Sequence, residues 1–338
     1  MTKAATIENH RFLCLIVLAA MLIAMIPVAV LHGGLLAANT DNMDGSFTLG
    51  NSAPTIDSVV VTDNGNVTAT SLTPQMEYII KVQVTDANTL ADLTTCNVTL
   101  FYDADNDNDA GDIPSENTTH AARVVCNQDA DTFTLTPEPT TWNAGSASDA
   151  PTATDNQGVF LFHILIGKIA IQSSSNWDVY VSVRDDEGGQ DDEYSAKDLG
   201  MNFYGEVSTS ASVDFGSVTA GSTYAANEQG SKSVTYITNG AYDEQVAASA
   251  TWGGATLDDT DNPGANEFCL QANDIDDIGT AQQVSDTSSY VTIDDSGTHT
   301  QSETGDTVGT NTIWLRLGTP FTSGTYDGTI YFKVINGT

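Results

Sequence analysis

Apolar and polar residues alternate with period two through most of this chain, the pattern of strands half-buried on one face. In Glu77–Thr85, Tyr78, Ile80, Val82 and Val84 fall on one side, and Glu77, Lys81 and Gln83 on the other. That split predicts an antiparallel strand with one solvated face. Ala53–Thr62 opens with Pro54, which suits the start of an edge strand. Phe133 and Leu135 point one way in Asp131–Thr136, as do Trp177, Val179, Val181 and Val183 in Trp177–Arg184. Val159–Ile166 is apolar on both sides and bounded by Gly158 and Gly167, so it predicts a central strand.

Further along, Val213–Gly221 predicts a strand running into a glycine turn. Ser233–Thr238 and Ala241–Ala248 flank Asn239-Gly240, which predicts a type I′ hairpin because that turn needs two residues with positive φ. Thr312–Leu317 and Gly328–Val334 predict two closing strands. Cys96–Tyr102 and His120–Cys126 are β-prone flanks of equal length around an acidic loop. Paired with Tyr102 opposite His120, they place Cys96 opposite Cys126. This predicts a hairpin with a disulfide across it.

Seven or so short strands punctuated by turns predict a sandwich of the immunoglobulin-like kind. The chain has 338 residues, room for two such units. The expected fold is all-β: two tandem immunoglobulin-like antiparallel β-sandwich domains, 53–200 and 201–338, after an N-terminal hydrophobic helix. Residues 39–52 form a polar lead-in with one β-prone patch, Phe47-Thr48-Leu49. Residues 1–38 carry Lys3 and Arg11 ahead of an apolar run from Phe12 to Leu31, with small residues near Ala38. This reads as a secretory signal peptide, or else as an N-terminal membrane anchor that stays in place. Both readings put the rest of the chain outside the cell, with membrane contact only through this segment.

Composition supports strands and adds a charge argument. Lys plus Arg number 10 against 45 for Asp plus Glu, a net charge of −35. Dropping Lys3, Glu8 and Arg11 leaves 44 acidic and 8 basic residues in the exported part. Such a field repels nucleic acid and anionic membranes and attracts cations. The acidic loop is the first place to look for one. Asp103, Asp105, Asp107, Asp109, Asp112 and Glu116 offer closely spaced oxygens of the kind Ca²⁺ takes, although Asn108 or Ala110 stands where a calcium loop has glycine. The turn Asp185–Glu193, with six carboxylates around Gly188-Gly189, reads as a solvated turn.

Cysteine use fits an oxidising compartment, with Cys14 in the apolar run and Cys269 left over as a small buried residue on a strand. Asn66, Asn97, Asn117 and Asn336 sit in glycosylation sequons. Catalysis finds no pattern: the exported part holds His120, His163 and His299, with no metalloprotease, nucleophile-elbow or phosphate-loop motif. His163 reads as a core residue. Trp142, Trp177, Trp252 and Trp314 are the candidates for stacking on sugars, Trp177 fitting a core position better.

Ala53-Pro-Thr-Ile56 before alternating strands resembles the opening of bacterial and archaeal immunoglobulin-like extracellular repeats. Val213–Gly221 and Gly324–Tyr331 resemble β-sandwich modules of archaeal cell-surface proteins. The resemblance implies an envelope-associated role without catalysis and no site residues. The expected function is a secreted or membrane-anchored structural or adhesive surface protein, a filament or envelope-layer subunit in one version. Its partners would be copies of itself or other cell-surface proteins, and in the filament version Phe47–Leu49 adds a strand to a neighbour's sheet. The alternative is an extracellular carbohydrate-binding module with Ca²⁺-stabilised loops.

Overall fold

The computed structural model of the chain describes residues 45–107, 119–128, 130–136, 142–145, 147–209, 212–221, 223–224, 229–301 and 307–337. The predicted N-terminal helix lies outside them, as do Asp109, Asp112, Glu116 and Asn117. Among the described residues no helix is long and apolar enough to cross a membrane. Among the described residues the fold is all-β, with a single 3₁₀ turn at Leu90–Asp92. Gly50–Thr338 form one compact unit, and the described residues 45–49 belong to a separate N-terminal one.

The first sandwich contains β1 (Thr55–Asp63), β2 (Ser71–Leu72), β3 (Glu77–Thr85), β4 (Leu93–Tyr102), β5 (Ala121–Asn127), β6 (Thr132–Thr136), β7 (Asn143–Ala144), β8 (Gln157–Leu165), β9 (Ser173–Asp185) and β10 (Gln190–Met201). One sheet runs β1-β3-β8-β7, the other β2-β10-β9-β4-β5-β6. Their inner faces share one core, in which Val61, Ile80, Val82, Phe160 and Phe162 meet Val98, Val124, Trp177, Val179 and Val181. The alternation read from Glu77–Thr85 and Trp177–Arg184 is what fills it. β8 departs from expectation. Phe160, Phe162 and Ile164 are buried, but Val159 is exposed and Leu161, His163 and Leu165 are half-buried, so the strand is covered on one face only.

The second sandwich contains β11 (Gly205–Ser208), β12 (Gln229–Thr238), β13 (Tyr242–Ala248), β14 (Thr251–Trp252), β15 (Ala255–Leu257), β16 (Glu267–Asn273), β17 (Gln282–Gln283), β18 (Val291–Thr292), β19 (Thr307–Leu317) and β20 (Ile330–Asn336). Its larger sheet runs β11-β12-β19-β16-β15-β14, with β17 on β16, and the facing sheet is β18-β13-β20. Phe268, Leu270, Ile313 and Leu315 from one meet Val246, Ala248 and Ile293 from the other. Pairing is antiparallel throughout both sandwiches except for the short pairs β2–β10 and β15–β16.

Two expectations fail in this half. Val213–Gly221 is not a strand. The Asp214 carboxylate accepts the Gly216 backbone N–H at 2.8 Å, and Gly216 takes φ 65°, so a local side-chain turn interrupts the alternation. Asn239-Gly240 is not a hairpin turn either. β12 pairs with β11 and β19, whereas β13 pairs with β18 and β20, so the two residues carry the chain from one sheet to the other.

What Asn239 does instead is join the sandwiches. Fully buried, it donates from Nδ2 to Ala170 O at 2.8 Å and to Asn202 O at 2.9 Å. Its Oδ1 accepts Tyr204 N–H at 2.7 Å, and its backbone carbonyl accepts Gln172 N–H at 2.8 Å. A Cβ on Gly240 would lie 2.1 Å from Gln172 Oε1 and 3.0 Å from its Cβ, so a larger residue there would have to displace the Gln172 side chain. Lys168 Nζ reaches Glu206 Oε2 at 2.6 Å beside it.

Candidate functional site

The hairpin of β4 and β5 has the register expected of it. Cys96 lies directly opposite Cys126, and Tyr102 N–H donates to His120 O at 2.7 Å. Both cysteines are buried free thiols. Burial pushes the Cys126 thiol up to about 12, with Asp131 adding to the rise, and raises Cys96 well above the ordinary range.

At the end of β4 the structure gathers Asp103, Asp105 and Asp107 to within 4.8 Å of one another. Their environments differ. Asp105 and Asp107 are exposed, but Asp103 is fully buried. Its Oδ1 accepts Asn106 N–H at 2.8 Å and its Oδ2 accepts the Tyr194 hydroxyl at 3.2 Å. That hydroxyl also bonds Asp178, which is itself buried and whose Oδ1 accepts Lys197 N–H and Asp198 N–H at the β10 bulge. Asp103 therefore braces β4 against β9 and β10, and the acidic run is not one homogeneous loop.

The sequons separate by burial. Asn66 is exposed in a turn and Asn336 is exposed at the end of β20. Asn97 is 9 % exposed in the middle of β4, between β5 and β9, which leaves no room for a glycan in the folded protein. All four tryptophans are buried, Trp252 at the wall of a cleft. Cys269 is buried on β16 as expected, and Tyr224 donates its hydroxyl to the sulfur at 2.8 Å. His163 is half-buried and pairs with Glu77 at 2.8 Å.

The Asp185–Glu193 turn proves to hold the root of the lead-in. Asp185 is buried and accepts Asn51 Nδ2 at 2.8 Å and Gly189 N–H at 2.5 Å. Asn88 Oδ1 takes Ser52 N–H at 2.7 Å, and Asn88 Nδ2 donates to Gly50 O at 3.3 Å. On the N-terminal side of this anchor, Phe47 and Leu49 are 93 % and 71 % exposed.

The second sandwich is open where the first is closed. β20 is an edge strand, and its inward residues Ile330, Phe332 and Val334 are only half-buried, whereas those of β3 are almost wholly covered. Beside it a cleft of about 1010 Å³ runs between the sheets, lined by Phe215, Val218, Trp252, Phe268, Phe321 and Phe332 among others.

A second feature of this half went unseen in the sequence. The side chains of Glu244, Asp274 and Asp294 converge on His299. Burial pushes the Glu244 carboxyl above its ordinary value. Asp294 holds the His299 imidazole above its ordinary range against the effect of partial burial, and the charges of Glu244 and Asp274 add to the rise. No spacing rule links positions 244, 274, 294 and 299. The signal was the presence of one histidine among acidic turns, which sequence alone cannot assemble.

No family model matches the chain, and no curated protein does. Among solved structures, the chain resembles a chaperone–tip adhesin pre-assembly complex of the archaic chaperone–usher Csu pili of Acinetobacter baumannii. The identity is 10 %, the TM-score 0.29, and coverage 82 % of this chain and 92 % of that one. It also resembles a C-terminal fragment of the major pilin GBS80 of Streptococcus agalactiae, at 10 % identity and TM-score 0.22, over 79 % of this chain and 80 % of that one. Likenesses of this size carry no functional conclusion. What the described residues show by themselves is an all-β fold of several packed sheets, with β20 at the edge of one of them.

Proposed function

We propose that the protein is an exported, non-catalytic structural protein of the cell surface, and that copies assemble by strand addition. The Phe47–Leu49 segment of one copy lies along β20 of the next, with Phe47 and Leu49 entering the cleft. The observation that carries this reading is β20 itself: an edge with no strand beside it among the described residues, whose inward side chains are half-exposed over an apolar cleft. Such an edge is an invitation to pair unless something covers it. The lead-in supplies an apolar–polar–apolar triplet of strand period, solvent-exposed and tethered just behind by Asn51 and Ser52. A segment from a second copy both completes the ladder and buries two large side chains. Intracellular redox conditions would keep Cys96 and Cys126 reduced, and their opposed register supports a cross-strand disulfide once the chain is exported.

Electron microscopy and size-exclusion chromatography of the purified exported chain test this. Wild type is expected to form linear polymers, and the double variant Phe47→Asp/Leu49→Asp to remain monomeric while keeping its melting temperature. A free peptide of residues 45–52 is expected to cap the cleft and shorten the polymers. Polymers that form equally well from the double variant would overturn strand addition by this segment.

A further inference from the structure

We infer that the second sandwich holds a structural zinc ion between Asp274, Asp294 and His299, with Glu244 beside the imidazole. His299 Nε2 lies 3.5 Å from Glu244 Oε1, 3.5 Å from Asp274 Oδ2 and 3.6 Å from Asp294 Oδ1. These separations are too long for hydrogen bonds and nearly equal to one another. They suit ligands arranged around a common centre: a tetrahedral zinc with ligands at about 2.0–2.2 Å has edges of roughly 3.3–3.6 Å. The Asp274, Asp294 and His299 ligand atoms all lie within 4.8 Å of each other.

Two atoms are left unsatisfied in a way that points to a cation. Among the described residues His299 Nε2 and Asp294 Oδ2 are buried with no hydrogen-bond partner, and the Asp294 side chain is 5 % exposed. The charges are also unbalanced. Glu244 and Asp274 side chains are 1 % and 2 % exposed, so three carboxylates leave water together. Among the described residues His299 is the cationic group that ion-pairs with them. Buried carboxylates demand compensation that one imidazole does not supply. A divalent ion supplies it.

Each ligand is held in place by a group behind it, as metal ligands usually are. The neighbouring Glu244 is fixed too, its Oε2 accepting the Tyr236 hydroxyl at 2.7 Å. The Glu244 backbone N–H donates to Asp294 Oδ1 at 2.7 Å, and Asp295 N–H to Asp274 Oδ1 at 2.9 Å. Ser296 donates to Asp274 Oδ2 from both its hydroxyl and its backbone N–H. The His299 ring stacks on Tyr242 at 5.0 Å, and its backbone exchanges two hydrogen bonds with Tyr242. The imidazole selects zinc over calcium, which takes oxygen ligands. Bound there, the ion staples the segment from Val291 to His299 across β13 and the end of β16. This site does not depend on strand addition at β20.

The test uses the tag-free exported chain, stripped with a chelator and titrated calorimetrically with Zn²⁺ and, separately, with Ca²⁺. Wild type is expected to bind one Zn²⁺ per chain in the submicromolar range, to melt higher when loaded, and to give no heat with Ca²⁺ at this site. Asp294→Asn and His299→Gln are expected to weaken zinc about 100-fold or more. Asp294→Asn also removes a buried charge, so its metal-free form should melt no lower than metal-free wild type, which separates lost binding from lost folding. Absence of zinc binding by wild type at ten micromolar protein, or undiminished binding by the Asp294→Asn/His299→Gln double variant, would overturn the site.

Discussion

Single residues carry more than their local sequence announces, and Asn239 is the clearest case. Its side chain satisfies two backbone carbonyls and one backbone N–H that belong to two separate segments of the chain. Asn239→Ala would strand those buried groups, each costing about 1–3 kcal/mol. The expected loss is about 2–4 kcal/mol by chemical denaturation, with Asn239→Gly no better, which would show that backbone freedom is not the residue's use here. Read locally, Asn-Gly means a hairpin. The groups that give it another task lie 35 to 69 positions away, beyond the reach of any window. Asp103 misleads in the same way. It stands in a run of acids, yet of the described ones, Asp103, Asp105 and Asp107, it is the one buried under Tyr194, a partner 91 positions off.

Strands were far more legible than junctions, for a physical reason. Period-two burial and equal flank lengths are local properties, so β3, β9 and the β4–β5 register followed from them directly. The opposed Cys96 and Cys126 give that hairpin a checkable consequence. Protein isolated from an oxidising compartment should resist alkylation at both cysteines until it is reduced and unfolded. Closing a loop of about 30 residues should add roughly 3–4 kcal/mol over the reduced form.

Between the β8–β9 loop and β11 the relevant contact is a charge pair. The Lys168 ammonium, then the Tyr204 hydroxyl, hold the Glu206 carboxyl below its ordinary value of 4.5. A depressed carboxyl contributes stability above its unfolded pKa, and that contribution is lost as pH falls through the folded one. Glu206 is 43 % exposed, so the effect is small. Lys168→Met should lower the denaturation midpoint at neutral pH, and the gap from wild type should shrink on acidification below 4.5.

For the whole molecule the governing quantity is charge. At −35, copies repel one another at a distance before any edge can pair. Screening shortens that repulsion from about 10 Å at 0.1 M salt to about 3 Å at 1 M. Polymer growth followed by light scattering should therefore accelerate steeply with salt, and a rate indifferent to salt would mean that electrostatics does not gate assembly. Charge was fully legible in composition. The open edge was not, because it depends on which strands lack a neighbour.

The link between the two sandwiches also has a mechanical meaning. Only Asn202, Phe203 and Tyr204 separate β10 from β11, and Asn202 and Tyr204 are both tied to Asn239. Such a link holds no slack. Pulled from its ends, the compact unit has no compliant spring at its waist to stretch first. Tension would pass straight to the strands and to the Asn239 bonds that tie the link.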